Sequence, residues 1–135
     1  MSSRVASRRR RGRRRHLPIV VATAGLVLAA CGGSGSGSNA TKTAVNGKID
    51  VNASDPYNFD VKTIDASPGP LTVTLHDKGS QEHTFTIPSK NFEIKVTTND
   101  RTATGTVNLQ AGTYSFKCSI DGHAAAGMVG KIVVG

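Results

Sequence analysis

The chain has 135 residues, one domain's worth, with 17 Lys and Arg against nine Asp and Glu and a formal charge of +8. Eight of the basic residues are arginines between Arg4 and Arg15; removing them leaves nine bases against nine acids, so everything from Cys31 onward is formally neutral. This excludes a nucleic-acid-binding domain, which carries its positive charge on the folded body. Two cysteines exclude a disulfide scaffold, and four Phe, two Tyr and no Trp point to a core built mainly from Val, Ile, Leu and Ala.

Met1–His16 is arginine-rich and acid-free, Leu17–Ala30 is an apolar run of 14 residues, and Cys31 follows. Such a run is too short to span a bilayer, which takes about 20 residues. A basic segment, a short apolar segment and small residues before a cleavage point read as an export signal over residues 1–30. Leu28-Ala29-Ala30-Cys31 resembles the bacterial lipobox. That resemblance implies cleavage before Cys31 and a lipid on its thiol. The protein is then expected in the bacterial cell envelope, outside the cytoplasm and lipid-anchored to the membrane. An ordinary secretory signal with a chance cysteine is the alternative. Residues 31–46, rich in Gly, Ser, Thr, Asn and Ala, read as the lipidated cysteine and a flexible linker.

Residues 47–135 read as short alternating runs separated by turn signals. In chain order the expected strands are Lys48–Ala53, Phe59–Ile64, Leu71–His76, His83–Ile87, Phe92–Thr97, Thr104–Leu109, Thr113–Cys118 and Met128–Val134. Ser67-Pro68-Gly69-Pro70, Asp77-Lys78-Gly79, Asn99-Asp100 and Ala111-Gly112 punctuate them. In the third run Leu71, Val73 and Leu75 share one face, with Thr72, Thr74 and His76 on the other. About eight strands in this length define an all-β class, a Greek-key two-sheet sandwich or barrel. Leu109-Gln110-Ala111-Gly112-Thr113-Tyr114 carries the L-x-x-G-x-Y pattern of a tyrosine corner, a common device of such folds.

The chemistry concentrates in Tyr114–Met128, where Cys118, His123 and Met128 stand in the spacing C-x4-H-x4-M. Upstream, His83 opens a strand. Tyr114, Phe116 and Cys118 alternate onto one face, so the sulfur is expected at the inner end of a strand beside the loop bearing His123 and Met128. Zinc sites use Cys and His and seldom Met, and hard ions prefer oxygen. Two imidazoles, one thiolate and a weak axial thioether form the blue-copper set. Taken singly, a strand cysteine or a methionine is ordinary core; together in this order they make one metal site.

The segment resembles the copper-binding loop of the cupredoxins, the type 1 copper family of plastocyanin, azurin and auracyanin, and the resemblance covers about Lys48–Gly135. It implies that His83, Cys118, His123 and Met128 hold one copper ion that alternates between Cu(I) and Cu(II). It also implies that His123 is partly exposed and that Ala124, Ala125, Ala126 and Gly127 form a docking face. The implied role is electron transfer, not enzymatic catalysis, by a monomer that docks transiently on redox proteins or membrane redox complexes. A copper-handling lipoprotein, for storage or delivery in the envelope, is the alternative function. Two positions depart from the common pattern: Asp121 precedes Gly122-His123 where many relatives have Pro, and Thr84 follows His83 where many have Asn. Thr84 is expected to tie the two ligand segments less rigidly. His76, the remaining histidine of the body, reads as a solvated strand-end residue.

Overall fold

The computed structural model describes residues 40–135. The export segment, Cys31 and the linker up to residue 39 lie outside the described residues. Among the described residues no helix is long and apolar enough to cross a membrane.

Ten strands build two sheets: β1 (Thr41–Thr43), β2 (Lys48–Ser54), β3 (Asn58–Phe59), β4 (Thr63–Ala66), β5 (Gly69–Asp77), β6 (His83–Ile87), β7 (Phe92–Val96), β8 (Thr102–Leu109), β9 (Gly112–Lys117) and β10 (Val129–Val134). A single 3-10 turn, Pro88–Lys90, joins β6 to β7. One sheet runs β1-β4-β10-β9-β6-β7 and the other β3-β2-β5-β8. The class is the expected two-sheet, all-β sandwich.

The alternation does the work that was expected of it in β5. Leu71, Val73 and Leu75 are buried and Thr72, Thr74 and His76 are half-buried on the opposite face. Val51 and Leu109 of the neighbouring strands and Phe85, Ile87 and Ile132 of the other sheet are fully buried in the same core. Aromatic residues contribute more than composition alone indicates. Phe59, Phe85 and Phe116 are buried and touch one another, with ring centroids 5.9, 5.5 and 4.6 Å apart. Each such burial is worth about 1.5–3 kcal/mol. Gly130 of β10 makes room for this cluster: a Cβ there would lie 2.2 Å from Phe116 Cζ. The tyrosine corner forms, with Tyr114 Oη donating to the Gln110 carbonyl at 3.0 Å.

Two expectations need correction. The run Phe59–Ile64 is not one strand. Phe59 pairs with Ala53 in the smaller sheet, whereas Thr63–Ala66 runs parallel to β10 in the larger. Phe59, Val61 and Ile64 are all buried, so the period of two breaks after Val61 and the chain changes sheets there. Asp60, at the crossing, accepts from the Asn52 N–H at 3.0 Å and the Lys42 ammonium at 2.7 Å. The second correction concerns the linker. Thr41–Thr43 forms a strand parallel to β4, and the Ala44 N–H continues it by donating to Asp65 O at 2.8 Å. This edge strand has only half-buried Lys42 between exposed threonines, so it shows no apolar face to read. Backbone pairing holds it instead.

Candidate metal centre

Among the described residues, all the deeply buried polar side chains, Asp77, His83, Thr84 and His123, come from the end of β5, the start of β6 and the segment between β9 and β10. His83 is fully buried as the first residue of β6, and Cys118 is fully buried one residue beyond β9. The return to β10 is a compact loop closed by its own backbone. Cys118 N–H donates to Met128 O, Met128 N–H to His123 O, and Ala126 N–H to Gly122 O, each at 3.0 Å. Gly122 and Gly127 permit these turns at φ 82° and 105°, where a side chain is disfavoured. Lys62 Nζ donates to Gly127 O at 2.7 Å and pins the far limb of the loop.

Folding brings one donor atom each from His83, Cys118 and His123 within 4.8 Å of one another. Cys118 Sγ lies 3.4 Å from His123 Nδ1, and the two imidazole centroids are 5.3 Å apart. Met128 is fully buried, and its backbone bonds to both Cys118 and His123 place it beside them. Both ring nitrogens of His83 are buried without a hydrogen-bond partner. Leaving a buried polar atom unsatisfied costs about 1–3 kcal/mol, so the set is built for something that bonds to nitrogen. Burial, and after it the charge of His123, pushes the His83 pKa below its usual value against the opposing charges of Asp77 and Asp55. The imidazole is thereby kept neutral, as a metal ligand must be.

Thr84 ties the ligand segments closely, contrary to the expectation of a looser tie. Its N–H donates to Cys118 Sγ at 3.3 Å, and its hydroxyl reaches the same sulfur at 3.7 Å. The Ser119 N–H donates to Thr84 Oγ1 at 2.7 Å. A threonine can replace the longer amide because β6 and the Cys118–Ser119 segment lie this close. The Thr84 hydroxyl lies 2.9 Å from Ser119 Oγ and 3.1 Å from Thr86 Oγ1, and it is the donor toward them because both of those hydroxyls donate to Glu93 Oε2 at 2.8 Å. The two bonds to Glu93, Thr86 first, hold its carboxyl below the usual carboxylate range.

His123 is 6% exposed, less open than expected, because the Tyr57 ring lies against it with centroids 4.5 Å apart. Of the residues expected to form the docking face, Ala125, Ala126 and Gly127 are exposed and Ala124 is half-buried. Asp121 is exposed in the turn before Gly122. His76 takes no part. Its Nε2 lies 2.9 Å from Asp50 Oδ1 and its Nδ1 3.2 Å from Thr102 Oγ1, so it is a bonded cross-strand residue, not a freely solvated one. Tyr57, Asp55 and Glu93 carried no sequence signal. They reach the site only through topology.

With this geometry, the likenesses to known proteins fall into place. The family model for the cupredoxin-like domain matches residues 21–134. The chain belongs to the cupredoxin-like family. Its His–Cys–His cluster fits a single type 1 copper ion. No curated protein matches. Among solved structures, rusticyanin from Thiobacillus ferrooxidans is 26% identical, with a TM-score of 0.52 over 76% of this chain and 86% of that one. Reduced auracyanin from Roseiflexus castenholzii is 18% identical, with a TM-score of 0.54 over 68% and 99%. The metal-binding domain of the Streptococcus pneumoniae Cu(I)-exporting P-type ATPase, with Cu(I), is 17% identical, with a TM-score of 0.54 over 73% and 99%. The last two likenesses concern the fold alone.

Proposed function

We propose that the protein is a membrane-tethered type 1 copper electron carrier. The observation that carries this reading is a buried cysteine sulfur and two buried imidazoles with donor atoms within 4.8 Å, with both His83 nitrogens unpartnered. His83, Cys118 and His123 would hold the ion, with the Met128 thioether as a further donor. Copper, when bound, supplies one-electron exchange. The chain's own part is to hold the donors still. The loop's internal bonds fix His123 and Met128 against Cys118, and the Thr84–Ser119 tie fixes Cys118 against β6. Rigid donors keep the geometry similar in both oxidation states, so little reorganisation opposes electron movement. Burial excludes water and with it side reactions at the thiolate.

Electrons would enter and leave where the His123 ring comes nearest the surface, framed by Tyr57 and Ala124–Gly127. Redox proteins or membrane complexes would dock there through small, short-lived interfaces. Lipid on Cys31 would confine the carrier to the outer face of the membrane; Cys31→Ser is expected to release it, and persistent membrane association would contradict the anchor. The family consists mainly of carriers, and we read this member as a carrier, not an enzyme.

One equivalent of Cu(II) added to the purified domain tests the function. An intense thiolate-to-copper band in the visible, bleached by reductant and restored by oxidant, is the expected result. Colourless, readily stripped copper would support storage or delivery instead, and absence of binding would sink both.

A further inference from the structure

The loop between β2 and β3 belongs to the smaller sheet, yet it touches both imidazoles. Tyr57 covers His123, and two residues earlier Asp55 faces His83. Asp55 Oδ1 lies 3.6 Å from His83 Nε2, just beyond hydrogen-bond length. Its other oxygen is held independently: Asp55 Oδ2 accepts from the Ser80 N–H at 2.8 Å and from the Ser80 hydroxyl at 2.6 Å. Gly79 completes the cradle, since a Cβ there would fall 2.3 Å from Asp55 Oδ1. The cradle itself is anchored, because Gly79 N–H donates to Asp77 Oδ1 at 2.8 Å and Lys78 N–H to Ala53 O at 2.7 Å. One carboxylate oxygen is therefore occupied, and the other is aimed at a buried nitrogen that lacks a partner.

We propose that Asp55 is a positioning residue for the metal centre: it receives the Nε2–H of His83, fixes that tautomer and leaves Nδ1 to face the metal. The proposal rests on the copper reading. Ligating histidines commonly give their second N–H to a carboxylate or carbonyl, and the partner on one nitrogen decides which nitrogen binds. A carboxylate in this place does more than orient the ring. Its negative charge strengthens imidazole donation and favours the more positive oxidation state, so Asp55 lowers the reduction potential.

The test uses two readouts. In the metal-free protein, ring nitrogen-15 shifts are expected to show His83 in the Nε2–H form, and Asp55→Ala is expected to raise the Nδ1–H population several-fold. In the copper-loaded protein, Asp55→Asn keeps the shape and removes the charge. It is expected to reduce the Cu(II)-to-Cu(I) affinity ratio about tenfold, which raises the potential by about 59 mV. Ser80→Ala, which loosens the cradle, is expected to move it the same way by less. An Nδ1–H tautomer in the wild type overturns the proposal. So does an unmoved potential in an Asp55→Asn protein that binds copper with its visible band. If the wild type gives no band, the copper reading fails, while the metal-free spectra still decide what Asp55 does to His83.

Discussion

The two ends of the sandwich are built to different rules. At the end where β5 begins and β8 finishes, Leu71, Val107 and Leu109 are buried in strict alternation with exposed or half-buried polar neighbours, and backbone pairing satisfies the polar groups. At the other end, polar side chains are buried, one imidazole has no hydrogen-bond partner, and a thiol sits among donors. The first end provides stability by burying apolar surface. The second gives some of it up to hold groups in a fixed array. Buried polar groups that local rules disfavour are the mark of a site in an otherwise consistent fold.

The comparison breaks most completely at Cys118. Cys118→Ser is expected to abolish the visible copper band while leaving far-ultraviolet circular dichroism unchanged, since the sulfur contributes to the array and little to the sandwich. A coloured, copper-bound Cys118→Ser protein would mean the thiolate is not the ligand. The opposite experiment removes apolar bulk at the other end. Leu109 is fully buried and pairs with Gly69 at the start of β5, away from the donors. Leu109→Ala is expected to cost about 2–5 kcal/mol in denaturant unfolding, with the copper spectrum of the folded fraction unaltered. A changed spectrum would show that the ends are coupled.

Thr84→Val sharpens the boundary between them. Valine keeps the volume but leaves the Ser119 N–H without its acceptor and the sulfur without its hydroxyl neighbour. A loss of about 1–3 kcal/mol is expected, with colour retained, because the Thr84 backbone N–H still donates to Cys118 Sγ. Thr84→Ser, which preserves the hydroxyl, is expected to lose much less.

How much of this was legible follows the same division. The core of β5 could be read from alternation, since burial there is a one-dimensional pattern. Cys118, His123 and Met128 could be read because one loop carries all three, so their spacing survives in the chain. His83 was legible as a strand opening followed by an apolar pattern. The limits are physical as well. Thr41–Thr43 pairs by backbone alone, so its side chains carry no signal. The sheet change at Asp60 depends on partners in β2 and β1. Asp55 and Tyr57, in one loop, and Glu93, in β7, lie far along the chain from the ligand loop; only the sandwich topology brings them to the site. Thr84 shows the reverse error: its difference from the common Asn was visible, but its effect depends on how close Ser119 comes.

Glu93 supplies the smallest and most discriminating effect, because it lies on the exposed face of β7 and reaches the buried array only through the Thr86 and Ser119 hydroxyls. Those donors hold its folded pKa below the ordinary value of 4.5. A carboxylate whose folded pKa is depressed adds stability above its unfolded pKa and loses it as pH falls through the folded value. Solvent screens so exposed a group, so the contribution at neutral pH is expected to be below about 1 kcal/mol. Glu93→Gln, which cannot ionise, should therefore unfold at slightly lower denaturant than the wild type at pH 7. The gap should close as pH drops below 4.5 and through the folded pKa. Paired urea titrations across that range read the difference directly. A gap that persists in acid would mean that Glu93 acts by shape, as an acceptor for two hydroxyls, and that its charge contributes nothing to the array.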